Sequence, residues 1–283
     1  MTLWTDLLGS EITYRDGEHR SRVLTAGAGD PLLLLHGQGG HLENFRHNIP
    51  AYAKTYRVIA PDFLWHGLSD KPAVPRDMIG ALVDQLVGLL DGLSIPTCFI
   101  EGQSMGGWVA TELALRYPER VRALVLTTPM GLRAWSEGPD ASRLAAVLRS
   151  QLLALDTVTT EQTRQRMTSL FADPAVLDDE IVELRTRIFS DPESNRALRA
   201  VAEKYFSVET NLELQIGQDR LGELSPPTLV YWGTANSVPP EQGRKIADSI
   251  PRNEWHCAEA GHWAQYEQWE EHNDVVLEFL SRH

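Results

Sequence analysis

Cysteine, cationic residues and long apolar runs are all scarce in this sequence, and each shortage excludes something. Two cysteines, Cys98 and Cys257, in 283 residues cannot build a disulfide framework, so a reducing compartment is expected. Lysine and arginine number 26 against 39 aspartates and glutamates, for a formal net charge of −13. Nucleic acid and anionic membrane surfaces call for clustered cations, so neither is an expected partner. No apolar run approaches membrane-spanning length, and the N-terminus, Met1 to Asp6, lacks a basic region followed by an apolar core. A cytoplasmic protein acting on a small molecule follows, with any anion handled by a local arginine. No cofactor or metal is expected, and internal repeats, low-complexity segments and separating linkers are lacking too.

What is present is a hydrophobic share of 42%, ample for a core, and one stretch around which the rest is arranged. From Thr97 the chain runs through Cys98-Phe99-Ile100, breaks at Glu101-Gly102-Gln103-Ser104-Met105-Gly106-Gly107, and resumes as an amphipathic pattern from Trp108 to Leu115. Strand, tight turn, helix is the context in which a glycine, any, serine, any, glycine turn lifts a serine hydroxyl to the tip of a sheet. Ser104 is the candidate nucleophile.

In chain order, Glu11 to Arg15 and Arg20 to Thr25 read as two strands about Asp16-Gly17. Pro31 to Leu35 is an unbroken apolar run, as in a strand covered on both faces, and it ends in the glycine-rich loop His36 to Gly40. Tyr56 to Ala60 is another strand. Ile79, Leu82, Val83, Leu86, Val87 and Leu90 mark one face of a helix starting near Asp77. Val121 to Leu126 is a strand after the elbow. From Pro129 to about Leu221 strands vanish and helical stripes replace them. One of these opens at a capping box, Thr159-Thr160-Glu161-Gln162, and runs through Met167, Leu170 and Phe171; the next carries Ile181, Leu184 and Ile188. Strand character returns at Pro227 to Gly233 and near Glu254 to Ala258. Such alternation predicts an α/β protein with a mostly parallel central sheet and helices on both faces. The domain reading is a core of 1–129 and 222–283 with a helical lid, 130–221, inserted between strands.

In the elbow architecture the partners of the serine follow it, acid before histidine. His262, in Ala260-Gly261-His262-Trp263 directly after the last strand, is the candidate base. An oxyanion needs two backbone donors; the amide of Met105 is one, and that of Gln38, in the loop after His36, is the other. His36 either braces that loop or touches substrate. The acid position, after the strand ending at Gly233, holds Asn236, an amide. Either Asn236 orients His262 without a charge, its oxygen accepting the imidazole proton, or a carboxylate arrives from elsewhere in the chain; the reading adopted is Asn236. Arg185 shares the apolar face of Ile181 and Ile188, where it either meets an anion or reaches past the stripe to water.

The His36-Gly37 loop with Asn44-Phe45, the Ser104-to-Trp108 elbow and the Gly261-His262-Trp263-Ala264-Gln265-Tyr266-Glu267 segment together resemble the meta-cleavage-product hydrolases, carbon–carbon bond hydrolases of aromatic degradation within the α/β-hydrolase superfamily. The departures are Asn236 for an aspartate, Gln103 for an asparagine and a short loop after His36. The resemblance implies attack by Ser104 on the 6-oxo carbon of a 2-hydroxy-6-oxo-dienoate and proton shuttling by His262. It further implies that Asn44, Gln103 and Arg185 hold the 2-oxo and carboxylate end, with Trp263 either walling the pocket or filling core. A homodimer or larger homo-oligomer stays open. Two rivals remain: a carboxylesterase or lactonase on the same scaffold, and a non-catalytic ligand-binding homologue motivated by Asn236.

Overall fold

A computed structural model of the chain describes residues 2–134 and 140–283. Met1 and residues 135–139, which the sequence reading took into the N-terminal stretch and the lid, lie outside the described residues. Eight strands, β1 (Glu11–Arg15), β2 (Ser21–Ala26), β3 (Pro31–Leu35), β4 (Arg57–Pro61), β5 (Cys98–Gln103), β6 (Val121–Thr127), β7 (Thr228–Gly233) and β8 (Asn253–Ala258), form one sheet ordered β1-β2-β4-β3-β5-β6-β7-β8. Both pairings of β2 are antiparallel and the rest are parallel.

The apolar run Leu32-Leu33-Leu34-Leu35 is buried throughout because both faces of its strand are covered. Leu33 and Leu35 pack with Leu82, Val83 and Leu86 of α1 (Met78–Gly92), while Leu32 and Leu34 pack with Val276 and Phe279 on the other side. The alternation is the two-residue period of a strand. After β3 the chain turns to β4 on one side, and it returns to β5 on the other. The crevice left outside the carboxyl ends of β3 and β5 at such a reversal is where open α/β sheets bind ligands. Here the β3 end carries the His36 loop and the β5 end carries Ser104.

Between β6 and β7 stand the helices α3 (Ala141–Asp156), α4 (Thr160–Thr168), α5 (Asp179–Ser190), α6 (Pro192–Tyr205) and α7 (Val208–Leu214), α2 being the elbow helix Met105–Arg116. The two ends of this insertion are pinned to one another, Arg133 N–H donating to Ile216 C=O and Ile216 N–H to Gly131 C=O, each at 2.9 Å. The start of α4 departs from the reading of the sequence. Thr159 Oγ1 accepts from Gln162 N–H at 3.2 Å, the forward half of a capping box, and the helix stops at Thr168. Leu170 and Phe171 therefore lie beyond it, and the Leu170 carbonyl is turned to another use described below.

Beneath the elbow lies a buried polar group that periodicity gave no sign of. Glu101 on β5 is fully buried, 3.7 Å from His272, whose ring contacts Thr127 Oγ1 at 3.0 Å. Burial pushes the Glu101 carboxyl up to about 8 and pulls His272 down to about 3, so both are uncharged at neutral pH. For Glu101 the folded value is the higher one. Its contribution to stability is thus complete below the carboxyl's ordinary value of 4.5 and is lost as pH rises from there through about 8. Glu101→Gln, which cannot ionise, is expected to flatten that decline, and thermal melts across this range read the difference. A Tm of the variant that falls with pH as steeply as the wild type's refutes it.

Candidate active site

Ser104 sits between β5 and α2 with φ 54° and ψ −116°, a left-handed strain of about 1–3 kcal/mol for a residue bearing a Cβ. The strain persists because its neighbours leave no other course for the chain. A Cβ added to Gly106 would stand 2.0 Å from the Leu35 carbonyl oxygen, so only glycine lets α2 come this close to β3. Met130 N–H donates to the Ser104 carbonyl at 3.1 Å, fastening the first lid residue to the elbow.

His262 closes on the serine from the far end of the chain. Its Nε2 is 2.9 Å from Ser104 Oγ, and its Nδ1 is 3.1 Å from Asn236 Oδ1. An amide oxygen only accepts, so Nδ1 carries the proton and Nε2 is left bare to receive one from the serine. Burial, then the charges of Arg166 and Arg143, pull His262 down to about 3; no carboxylate among the described residues opposes them. The group that meets the inner ring nitrogen is thus an amide. Asn236 Nδ2 is buried and bonded to nothing among the described residues.

The loop carrying His262 is held from three sides. Leu170 C=O accepts from His262 N–H at 2.6 Å, and a Cβ on Gly261 would lie 2.4 Å from that same oxygen. Gln103 Nε2 and Thr128 Oγ1 donate to the His262 carbonyl at 3.0 and 2.8 Å. Glu267 accepts from Gly261 N–H at 2.7 Å and from Ala172 and Asp173 N–H at 3.1 and 2.6 Å. One carboxylate thus ties the lid loop after α4 to the loop of the base. Charge-assisted bonds of this kind contribute about 1.5–3 kcal/mol each.

The amide of Met105, at the first position of α2, has no intrahelical acceptor, and no acceptor for Gln38 N–H is present among the described residues. Gln38 and Ser104 both line a cavity of about 850 Å³. His36 braces the loop: Phe63 N–H donates to its Nε2 at 3.1 Å, and its Nδ1 then donates to Gly37 C=O at 2.8 Å. Burial pulls it down to about 3, which leaves it neutral.

At the Asn44 end of the cavity the arrangement differs in detail from the sequence-based expectation. Arg185 is 4% exposed, so its guanidinium does not reach past the stripe to water. It donates to Asn44 Oδ1 at 2.9 Å and lies 4.7 Å from the Trp263 ring centroid, yet it is not itself on the cavity wall, whereas Asn44, Trp263 and Arg166 are. Arg166 was missed by the sequence reading, because a polar residue in α4 looks like any solvated one. It donates to Gln151 Oε1 and Ser169 Oγ, each at 3.2 Å. No carboxylate lies within ion-pair distance of either arginine among the described residues. Burial pulls Arg185 down to about 9 and Arg166 to about 10, leaving both cationic at neutral pH. Gln103, expected at the same end, lines the cavity; it donates one amide N–H to His262, and its Oε1 is buried without a donor among the described residues.

Asn44 is placed by an ionic network that the sequence also concealed. Arg22 on β2 donates to both Glu43 oxygens at 2.9 and 2.8 Å and to Asp62 at 2.6 Å, and Leu42 N–H donates to Asp62 at 2.8 Å. These bonds hold the Leu42–Phe45 turn against the sheet. Tyr205, at the end of α6, is a further wall residue that the sequence showed only as the end of a helix.

A strained serine at the end of a central parallel strand, with a histidine from a late loop in contact with it, defines an α/β-hydrolase. The family model described as alpha/beta hydrolase fold matches residues 30–268, and the chain belongs to that family. Its relatives there include meta-cleavage-product hydrolases. The chain is 33% identical over 279 residues to the 2-hydroxymuconate semialdehyde hydrolase of Pseudomonas sp. (strain CF600), with 93% of this chain and 90% of that one covered. It is also 33% identical over 271 residues to the 2-hydroxy-6-oxo-6-phenylhexa-2,4-dienoate hydrolase of Burkholderia cepacia, covering 93% and 91%. The solved structure of the 2-hydroxy-6-oxo-6-phenylhexa-2,4-dienoate hydrolase from Rhodococcus sp. strain RHA1 superposes with a TM-score of 0.82 at 28% identity, over 96% of this chain and 99% of that one. No helix among the described residues is long and apolar enough to cross a membrane.

Proposed function

We propose that this protein hydrolyses the carbon–carbon bond next to the 6-oxo group of a 2-hydroxy-6-oxo-dienoate, with Ser104 as nucleophile, His262 as base and Asn236 as its orienting partner. The observation that carries the substrate class is Arg185, buried without a carboxylate partner among the described residues, beside the half-buried Arg166 on the cavity wall. A buried cation left unpaired is costly, and Arg166 on the wall with Arg185 behind Asn44 makes that end of the cavity a seat for an anion supplied by the ligand. A dienoate carboxylate with its 2-hydroxyl fits it. The electrical argument is independent of the kinship, and the names of the two relatives given above point the same way.

In this reading Ser104 Oγ gives its proton to His262 Nε2 and bonds to the 6-oxo carbon. The carbonyl π electrons move to an oxyanion held by Met105 and Gln38 N–H. Before this attack the substrate has ketonised, its 2-hydroxyl proton moving to C5; when the oxyanion collapses the C5–C6 bond breaks and its electrons enter the 2-oxo-3-ene system as a conjugated dienolate, whose oxygen takes the proton held by His262. Water, deprotonated by the same imidazole, then releases the acyl group from Ser104 as a carboxylic acid. The sum is one dienoate and one water in, one acid and one 2-hydroxydienoate out. Trp263 walls the cavity beneath Arg185.

The reading is tested by assaying a ring-fission dienoate beside a p-nitrophenyl ester. Arg166→Ala and Arg185→Ala are each expected to raise KM for the dienoate by about 10- to 100-fold, since a charge-assisted bond contributes about 1.5–3 kcal/mol, while ester turnover changes little. Ester turnover alone, indifferent to both substitutions, establishes the esterase or lactonase alternative. No turnover of either substrate, with ligand binding intact, establishes a binding protein.

A further inference from the structure

Tyr205 carries a hydroxyl for which the mechanism above has no use. It is 3% exposed and lines the cavity, and its oxygen is buried without a hydrogen-bond partner in the described structure. The ring is not free to seek one elsewhere. Trp108 of the elbow helix lies 5.7 Å away and Phe206 meets its face edge-on at 4.9 Å, and Asn211 Nδ2 donates to the Tyr205 carbonyl at 2.8 Å. A phenol stranded in this way costs free energy, and such a group is kept where a ligand or a reaction step supplies the missing partner.

Ser104 and Arg143 line the same cavity as the hydroxyl, and they define what it can do. Ser104 and Arg143 each favour its ionised form, but burial outweighs them and holds the phenol protonated, far above its ordinary value. Tyr205 is thus a donor. Arg143 cannot accept. Both ring nitrogens of His262 are engaged, one by Asn236 and the other by the serine. Ser104 Oγ gives its only proton to His262, and its lone pairs are open.

We infer that the Tyr205 hydroxyl, delivered by the lid, donates a hydrogen bond to Ser104 Oγ as that oxygen loses its proton. The inference rests on the reading of Ser104 as nucleophile and not on the identity of the substrate. Proton accounting is simple: the serine proton goes to His262 Nε2, the Oγ–carbon bond forms, and Tyr205 keeps its own proton throughout. Its role follows from Asn236. With a neutral amide behind the imidazole, the separated charges of alkoxide and imidazolium lack the help of a carboxylate, and a donor at the alkoxide stabilises the other half of the same charge pair.

The test is the second-order rate at which a p-nitrophenyl alkylphosphonate labels Ser104. Tyr205→Phe, which keeps the ring, is expected to slow labelling by about 10- to 100-fold, the range of a single well-placed donor or slightly below it, with substrate KM little changed. In an Asn236→Asp background the same substitution should cost only a few-fold, because the carboxylate then carries much of the load; such non-additivity is the sign of a shared function. Replacement by 3-fluorotyrosine, which retains the hydroxyl and makes it a stronger donor, should label at least as fast as wild type. Equal labelling rates for wild type and a folded Tyr205→Phe overturn the inference. Should Tyr205→Phe melt early, slower labelling by the 3-fluorotyrosine protein overturns it instead. Because a phosphonate needs only the serine, labelling that depends on Tyr205 together with no turnover of a dienoate would sink the substrate reading and leave this one standing.

Discussion

Ser104→Ala and His262→Ala are each expected to lower kcat on the order of 10⁵-fold, and the double variant to be no worse than either. The reason is geometric. At 2.9 Å the hydroxyl and the imidazole act as one unit, and burial holds His262 in its base form. Without the imidazole the serine keeps its proton, and without the serine the imidazole has no bound nucleophile to activate. What survives in each variant is the catalysis due to the two oxyanion donors and the arginine end of the cavity, which these substitutions do not touch. Steady-state assays of the three variants decide the matter. If Ser104→Ala keeps kcat within tenfold of wild type, His262 activates water directly and no covalent intermediate forms.

Asn236→Asp is expected to raise kcat by about 10²-fold and to move the acid side of the pH profile upward. In a serine protease the opposite replacement costs about 10⁴-fold; the gain here is smaller because Asn236 Oδ1 already contacts the ring nitrogen in the native protein. The exchange breaks no bond that the structure shows, since Asn236 Nδ2 is unbonded and only Oδ1 contacts the ring. The sign of the pH effect follows from the imidazole. In the native protein His262 lies near 3, so it is a bare base throughout the neutral range, and kcat/KM should be level from about pH 5 to pH 8. A carboxylate favours the imidazolium and raises that value. Below the new value the ring is protonated and idle, so the variant gains at neutral pH and loses in mild acid. A pH series of kcat/KM for both proteins tests this, and a variant slower than wild type at every pH refutes the view that Asn236 is a weakened acid position.

Much of the scaffold was readable in the chain because burial on two sides writes itself as unbroken apolar runs, as in Leu32 to Leu35, and a helix packed on one side writes itself at three-to-four spacing, as in Ile79 to Leu90. The strand–turn–helix about Ser104 and the histidine after the last strand were legible for a different reason: their geometry demands glycines at fixed offsets. The direction of a polar side chain demands nothing local. Arg166 and Tyr205 face the cavity because the helices between β6 and β7 pack as they do, and no spacing in α4 or α6 announces it. Gln103 lines the cavity, and no local pattern announced that one of its amide N–H groups goes to the His262 carbonyl, a partner 159 residues away. The overlong reading of α4 has a similar origin. Leu170 and Phe171 fit its apolar stripe but are drawn off by the histidine loop.

The Glu267 carboxylate has a bearing on how this scaffold can be re-engineered. Its three acceptor bonds run to both the roof and the base-bearing loop, and the roof in turn supplies the carbonyl that receives His262 N–H. The insertion between β6 and β7 is therefore not an interchangeable cassette. A foreign insertion grafted here must reproduce the backbone from Leu170 to Asp173 if the general base is to keep its station, and chimaeras that exchange the helices while retaining those four residues are the ones that preserve a working dyad.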